Sequence, residues 1–434
     1  MGSRIEFEYI DRMPSELMSD LVSPEHREVR DQAVATLPYG LPYLDESDIA
    51  AVVDVLRSAY LTTGPTVAAF EQALAEVTGA AEAVAVANGT AALHLAAMIL
   101  GLQPGDAVVV PSITFVATAN AVRYVGAEVL FADVNPDNGL METQHVEAAL
   151  ARAGSLTPRA VFPVHLNGQA ADMSGLETLC GRFDLRLVVD GCHALGTTYR
   201  RDCGEGRVGD GVDALLTTFS FHPVKVVTTG EGGALTTNDR TLAEHLRRLR
   251  NHGIERDPHR FIDGTLARNA DGELNPWYQE LSELGFNYRL SDLQCALGLS
   301  QLSKLDHFVA RRRDLVAKYD AALAFLSPTL QPIARVAGQQ PAWHLYPVLI
   351  DFAALGLSRA AVMHALRLRG IGTQVHYVPV AWQPYYKTRY GALDLPGAQA
   401  YYTRVLSLPL FPSMTNEDLA RVVAALAEVL TPRT

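Results

Sequence analysis

From residue 83 to residue 219, short apolar runs alternate with helical stretches, and this alternation restricts the fold more than any other feature. The runs lie at 83–87, 107–110, 129–131, 160–164, 185–189 and 214–219, with helical patterns between them at 114–125 and 175–183. Short β runs separated by helices predict a mostly parallel sheet covered on both faces. Before the first run, Val67, Phe70, Leu74 and Val77 fall at helical spacing. From Ser291 a long helical pattern passes through Leu293, Leu297, Leu305, Phe308, Leu315 and Tyr319 and leads out of the first lobe. Beyond Pro328 come a strand at 345–350 and helices at 360–369 and 416–430. The expected organisation is α/β: an N-terminal extension over 1–35, a large domain over 36–305 and a smaller C-terminal α/β domain over 306–434.

A chain of 434 residues suits two lobes better than one core. Nearly half the residues (48%) are apolar and 19% are charged, which fits a folded chain and not a disordered one. A net charge of −12 argues against a nucleic-acid surface, which needs concentrated Lys and Arg. Four scattered cysteines (Cys180, Cys192, Cys203, Cys295) give neither a disulfide framework nor a metal site, and read as reduced thiols in a cytoplasmic protein. Residues 1–34 carry mixed charges and no apolar core, so no signal peptide is expected. The most apolar helical stretch, 91–100, is too short to span a bilayer and is interrupted by His94, so no membrane partner is expected. The first 35 residues are expected to be mobile or laid across a partner subunit.

Lys225 is the residue with the most chemical content. It follows the apolar run ending at Phe219 and sits in a polar turn closed by Gly230, Gly232 and Gly233. A lysine in a pocket wall has its ammonium form disfavoured and becomes able to form a Schiff base. The partner such a lysine most often suggests is pyridoxal phosphate, which also needs a phosphate cradle and an acid facing its pyridine nitrogen. The plainer alternative is a strand-end lysine reaching water.

Four clusters supply candidate parts. Asn88, Gly89 and Thr90 form a turn into a helix whose free amides suit a phosphate, or an ordinary helix cap. Asp190 ends the buried run at 185–189, where open α/β sheets bind ligands; strand-end aspartates also cap loops. His193 follows it, as a partner for a ring oxygen or the aspartate, or as a satisfied core histidine. Phe115 is placed to stack on a flat ring, or to pack in the core. Asn287 and Arg289, wedged between apolar neighbours just before a long helix, read as a buried polar junction; a helix cap at Ser291 is the plainer alternative but does not explain them.

The order phosphate turn, aromatic, strand-end acid, then Ser220 five residues before Lys225 is the layout of a fold-type I pyridoxal phosphate enzyme. In these motifs the chain resembles the DegT/DnrJ/EryC1/StrS family of nucleotide-sugar aminotransferases, from about Leu37 to the C-terminus. Stretches 60–65, 113–120, 190–196, 220–225 and 374–377 are most similar to its UDP-4-amino-4,6-dideoxy-N-acetyl-β-L-altrosamine transaminases, which make pseudaminic acid precursors.

That resemblance implies roles. Lys225 would be the Schiff-base anchor and proton carrier, and Asp190 the partner of the pyridine nitrogen. Phe115 would stack on the ring, with His193 near its oxygen. Gly89, Thr90 and Ser220 would hold the phosphate, joined by Asn287 from the neighbouring subunit of a homodimer with shared active sites. Tyr39, Tyr60, Leu61, Thr62, Asn88, Gln374, Val375, His376 and Tyr377 would line the sugar-nucleotide pocket. L-Glutamate is the implied amino donor and the C4 keto group of a UDP-linked 4-keto-6-deoxy amino sugar the acceptor. Lysine at 225 argues against the dehydratase branch, which carries histidine there. Residues 42–44 and 202–206 depart from the family pattern, the latter as an expanded surface loop.

Other readings are an aminotransferase for another keto-sugar or a ketocyclitol, and a non-catalytic sensor of cofactor or sugar nucleotide on the same fold. A nicotinamide oxidoreductase is disfavoured, since no G-x-G-x-x-G follows the first run.

Overall fold

A computed structural model of the protein describes residues 36–201 and 204–431. The expected N-terminal extension therefore lies outside the described residues, as does Cys203. Seven strands form the central sheet: β1 (Glu82–Val86), β2 (Asp106–Pro111), β3 (Glu128–Ala132), β4 (Thr157–Val161), β5 (Arg186–Asp190), β8 (Leu216–Ser220) and β9 (Gly233–Thr237). Between β5 and β8 a hairpin, β6 (Thr198–Arg201) and β7 (Gly204–Arg207), stands apart from that sheet. The sheet order is β1-β9-β8-β5-β4-β2-β3. Only β9 runs antiparallel to its neighbours, pairing β1 on one side and β8 on the other.

The near-continuous apolar runs follow from burial on both faces. In β1, Val84 and Val86 join one core cluster while Ala83 and Ala85 join another. In β2, Val108 and Val110 divide from Ala107 and Val109 in the same way. Successive side chains point to opposite faces, so both parities must be apolar when helices cover both sides. One cluster contains Phe70, Leu74, Phe219 and Phe308. The other continues from the central sheet to Tyr319, Tyr346, Leu366 and Leu426. A second, antiparallel sheet holds Leu330–Pro332, Tyr346–Ile350 and Val405–Leu408, with the helix Pro396–Arg404 against Tyr346–Ile350 and the helices Arg359–Leu368 and Asn416–Leu430 packed on each other. The whole is a fold-type I α/β arrangement with a mostly parallel central sheet.

Three expectations are corrected. The long helical pattern from Ser291 is two helices, Asp292–Leu302 and Leu305–Leu323, separated at Ser303 and Lys304. Lys304 is held at that break by Asp45 (2.6 Å) and Asp48 (2.8 Å), an ion-pair pull that helical periodicity does not register. The stretch expected as a surface loop at 202–206 includes β7, paired with β6. β9 was not anticipated, because its Gly-Ala-Leu-Thr-Thr composition carries little apolar signal, yet every residue in it is buried.

Among the described residues, no helix is long and apolar enough to cross a membrane. No cluster of three or more His, Cys, Asp or Glu that could hold a metal occurs among them either.

Candidate active site

The C-terminal ends of β5 and β8 and the turn after β1 open onto one cavity of about 680 Å³. It contains thirteen of the seventeen site residues expected from sequence: Asn88, Gly89 and Thr90; Phe115; Asp190 and His193; Ser220 and Lys225; Tyr39; and the run from Gln374 to Tyr377.

The turn after β1 is built by close approach. Asn88 caps the helix Gly89–Ile99, its Oδ1 accepting the Ala91 N–H at 2.8 Å. The Gly89 and Thr90 amides, in the first turn, have no intrahelical acceptor and remain for a ligand. A side chain at Gly89 would meet Ser220 Cβ at 2.8 Å, and one at Gly233 would meet the Asn88 carbonyl at 2.4 Å. Two glycines thus bring β8, β9 and the helix start within van der Waals contact, forming a cradle that a Cβ would fill.

Asp190 is buried at the end of β5. Its Oδ2 accepts from Thr118 Oγ1 at 2.7 Å and its Oδ1 from the Cys192 N–H at 3.1 Å. Thr118 is in turn 2.8 Å from Thr114 Oγ1. A carboxylate has about four acceptor positions, so this one is oriented with capacity left for a further donor.

Lys225 lies in the turn after β8, its N–H donating to the His222 carbonyl at 2.8 Å. Burial pulls its ammonium below the ordinary lysine range, opposed by the neighbouring Cys192 and Asp190. Cys192 is pushed well above its ordinary range, first by burial and then by Asp190.

Three histidines gather beside Lys225. His193 and His344 are buried with ring centroids 4.4 Å apart, and burial holds both well below the ordinary range, with Lys225 adding to the effect. His376, buried and 2.8 Å from Ser407 Oγ, is lowered to about 3, mainly by burial. All three are neutral imidazoles at neutral pH. His193 is engaged by groups other than Asp190: its Nδ1 accepts the Asn167 N–H at 3.3 Å, and its Nε2 lies 3.3 Å from Tyr377 Oη.

Four expected residues lie outside the cavity. Tyr60, Leu61 and Thr62 are exposed, with Thr62 bridged to Ser291 and Leu61 accepting the Asp292 N–H at 3.1 Å. Asn287 is also exposed, bridged to Asn251, whose Oδ1 accepts from Arg289 at 2.6 Å. A single chain therefore does not bring them to Lys225. Phe115 is in the cavity but 56% exposed, at the N-cap of the helix Val116–Tyr124 and 6.1 Å from the Tyr377 ring.

Thr118, Cys192 and His344 were not anticipated from sequence. A threonine one helical turn after Thr114 was the available signal for the first. His344 follows Trp343 in a strand-entry segment and gave none.

Comparison with known proteins decides the family. Residues 42–427 match the DegT/DnrJ/EryC1/StrS aminotransferase family. The chain belongs to that family. The spore coat polysaccharide biosynthesis protein SpsC of Bacillus subtilis (strain 168) is 37% identical over 91% of this chain and 97% of its own. Helicobacter pylori PseC, an aminotransferase involved in the biosynthesis of pseudoaminic acid, superposes with TM-score 0.81 at 28% identity, over 91% of this chain and 99% of its own. DesV of S. venezuelae, solved in complex with a ketimine intermediate, gives TM-score 0.78 at 33% identity, over 92% of this chain and all of its own.

This aminotransferase is pyridoxal-phosphate-dependent. Its residues fit that group: a cradle of free amides and Ser220, a lysine in a water-poor wall, and a buried carboxylate with an unfilled acceptor position.

Proposed function

We propose that this aminotransferase moves an amino group from L-glutamate to the C4 keto group of a UDP-linked 4-keto-6-deoxy amino sugar of the pseudaminic acid precursor type. The observation that carries the reading is the cavity's union of Lys225 and Asp190 with the run from Gln374 to Tyr377, one of the stretches most similar to that subgroup. The likeness to PseC along nearly the whole chain supports it, and SpsC is named for spore coat polysaccharide biosynthesis.

Pyridoxal phosphate, when bound, supplies an electron-accepting ring that lets the donor's α-C–H ionise. The chain's residues do the rest. Lys225, with its amine made available by burial, takes the α-proton and delivers one to the acceptor carbon. Asp190, oriented by Thr118 and the Cys192 amide, would pair with the pyridine nitrogen of the bound cofactor. Gly89, Thr90 and Ser220 would hold the cofactor's phosphate, and Phe115 would stack on its ring. Tyr39, Asn88 and the run from Gln374 to Tyr377 face the sugar. Tyr60, Leu61, Thr62 and Asn287 reach the site of a neighbouring subunit, so the working unit is a homodimer. The exposed apolar side chains Leu41, Leu44, Leu56, Tyr60 and Leu61 support that face as an interface.

The test is a half-reaction followed by cofactor absorbance. The protein is treated with L-glutamate, freed of excess donor, then offered UDP-4-keto-6-deoxy-N-acetyl-β-L-altrosamine or its D-xylo isomer. Recovery of the original band with the L-sugar alone is expected. Recovery with the D-isomer, or with neither sugar after a clean glutamate step, overturns the substrate and leaves the aminotransferase.

A further inference from the structure

In both half-reactions an oxygen must be carried off or taken up at a carbonyl carbon, and Lys225 works at carbon. The oxygen needs a donor of its own, and the cavity offers few. Thr118 is committed to Asp190, with Thr114 2.8 Å from it. Ser220 sits against Gly89 in the cradle. His193 has both nitrogens engaged.

Among the other polar groups in the lining, the hydrogen-bond directions single out one. The Asn167 backbone N–H can only donate, so His193 Nδ1 is its acceptor. Asn167 holds this position with a left-handed backbone (φ 62°), a conformation asparagine tolerates, and its carbonyl accepts the His344 N–H at 3.0 Å. A neutral imidazole accepting at Nδ1 carries its proton on Nε2. That N–H therefore donates to Tyr377 Oη. The phenol acts as acceptor toward His193, and its own O–H is left to point elsewhere. Tyr377 is half-buried and lines the same cavity as Lys225.

We propose that Tyr377 is a catalytic residue that donates to the reacting carbonyl oxygen, and that His193 is a positioning residue acting through it. On the acceptor side, the amino nitrogen adds to the carbonyl carbon and the C=O π pair moves to oxygen, which takes the Tyr377 proton. The resulting phenolate takes a proton from that nitrogen, which restores the phenol. The nitrogen lone pair then expels the oxygen as water with a second proton, also originally on nitrogen. The donor side runs the same steps in reverse. Burial and the nearby Asp190 raise the phenol well above its ordinary range, so it remains protonated and able to donate.

The test uses the cofactor-loaded enzyme with L-glutamate, L-glutamine and L-alanine in turn and no sugar, so it stands whichever sugar is the substrate. Tyr377→Phe is expected to slow the donor half-reaction about 100-fold with little change in cofactor affinity. His193→Leu should slow it about 10-fold, His193→Gln less, because its amide keeps a donor. In the double variant His193→Leu should add nothing to Tyr377→Phe. A second readout needs no turnover: nitrogen-15 histidine spectra of the cofactor-free protein should show His193 protonated at Nε2, with that signal moved by Tyr377→Phe. Near-normal rates in Tyr377→Phe, additive losses in the double variant, or a proton on Nδ1 would each overturn the proposal. Additive losses with a shifted cofactor spectrum only in His193→Leu would assign His193 to the cofactor directly.

Discussion

The cofactor end of the cavity and the strip carrying Tyr60, Leu61, Thr62 and Asn287 were both marked as functional, yet the fold treats them oppositely. The first is assembled by one chain: strand ends and glycine contacts leave Gly89, Asp190, Ser220 and Lys225 in a shared cavity. The second lies exposed, tied to the backbone near Ser291 and Asn251 and absent from the cavity. Chemistry that must hold a cofactor through every turnover is placed where the sheet fixes it. Contacts assigned to the exposed strip need a second copy, and their contribution should be smaller and dependent on association.

The largest effect should come from the interior. Lys225→Ala is expected to lower turnover by at least about 10⁴-fold while circular dichroism and thermal unfolding stay near wild type, since only the proposed anchor and proton carrier is removed. Retention of substantial rate would remove the lysine from the mechanism. Asp190→Asn should cost about 10²–10³-fold in rate, because a neutral amide cannot balance a protonated ring nitrogen; steady-state kinetics at saturating cofactor would check this.

Geometry in the interior can be tested without touching a catalytic group. Gly233→Ala puts a methyl 2.4 Å from the Asn88 carbonyl, so the cradle must shift. A loss of about 1–3 kcal/mol in urea unfolding is expected, with weakened cofactor retention on dialysis. Unchanged stability would mean β9 and the turn after β1 are not in tight contact.

The buried imidazoles predict a pH dependence. His376 ionises near 6.5 when unfolded and near 3 when folded, so the unfolded chain takes up the proton first. Its neutral burial costs nothing above the unfolded value, and stability falls as pH drops from about 6.5 toward 3. His376 contributes a slope of about 1.4 kcal/mol per pH unit within that window. Urea titrations of cofactor-free protein should steepen below pH 6, and His376→Gln should reduce the slope.

The exposed strip should give the smallest effect. Asn287→Ala is expected to raise the cofactor dissociation constant about fivefold, the worth of roughly one hydrogen bond, without altering chain stability. Analytical ultracentrifugation supplies the sharper break: a fully active monomer would show that Asn287 has no role across an interface.

Much of this was readable in the sequence because strand ends leave local marks. An apolar run followed by Asp190, or by Ser220 and a lysine turn, states both the element and where it stops. The two-sided burial of β1 and β2 follows from their unbroken apolar character. β9 escaped because only Ala234 and Leu235 of its five residues are apolar, although all five are buried between paired strands. The Lys304 break escaped because charge pairing across 259 residues leaves no periodic trace. The relay from Asn167 through His193 to Tyr377 joins three separate segments, so His193 and Tyr377 were visible as candidates, whereas Asn167 and the hydrogen-bond order were not.

The most direct test of the account follows the nitrogen itself. With L-glutamate labelled with nitrogen-15 and UDP-4-keto-6-deoxy-N-acetyl-β-L-altrosamine as acceptor, the account predicts a nitrogen-15 amine at sugar C4, seen by NMR coupling and by a matching mass shift. Loss of label from glutamate with none reaching C4 of the sugar would contradict it.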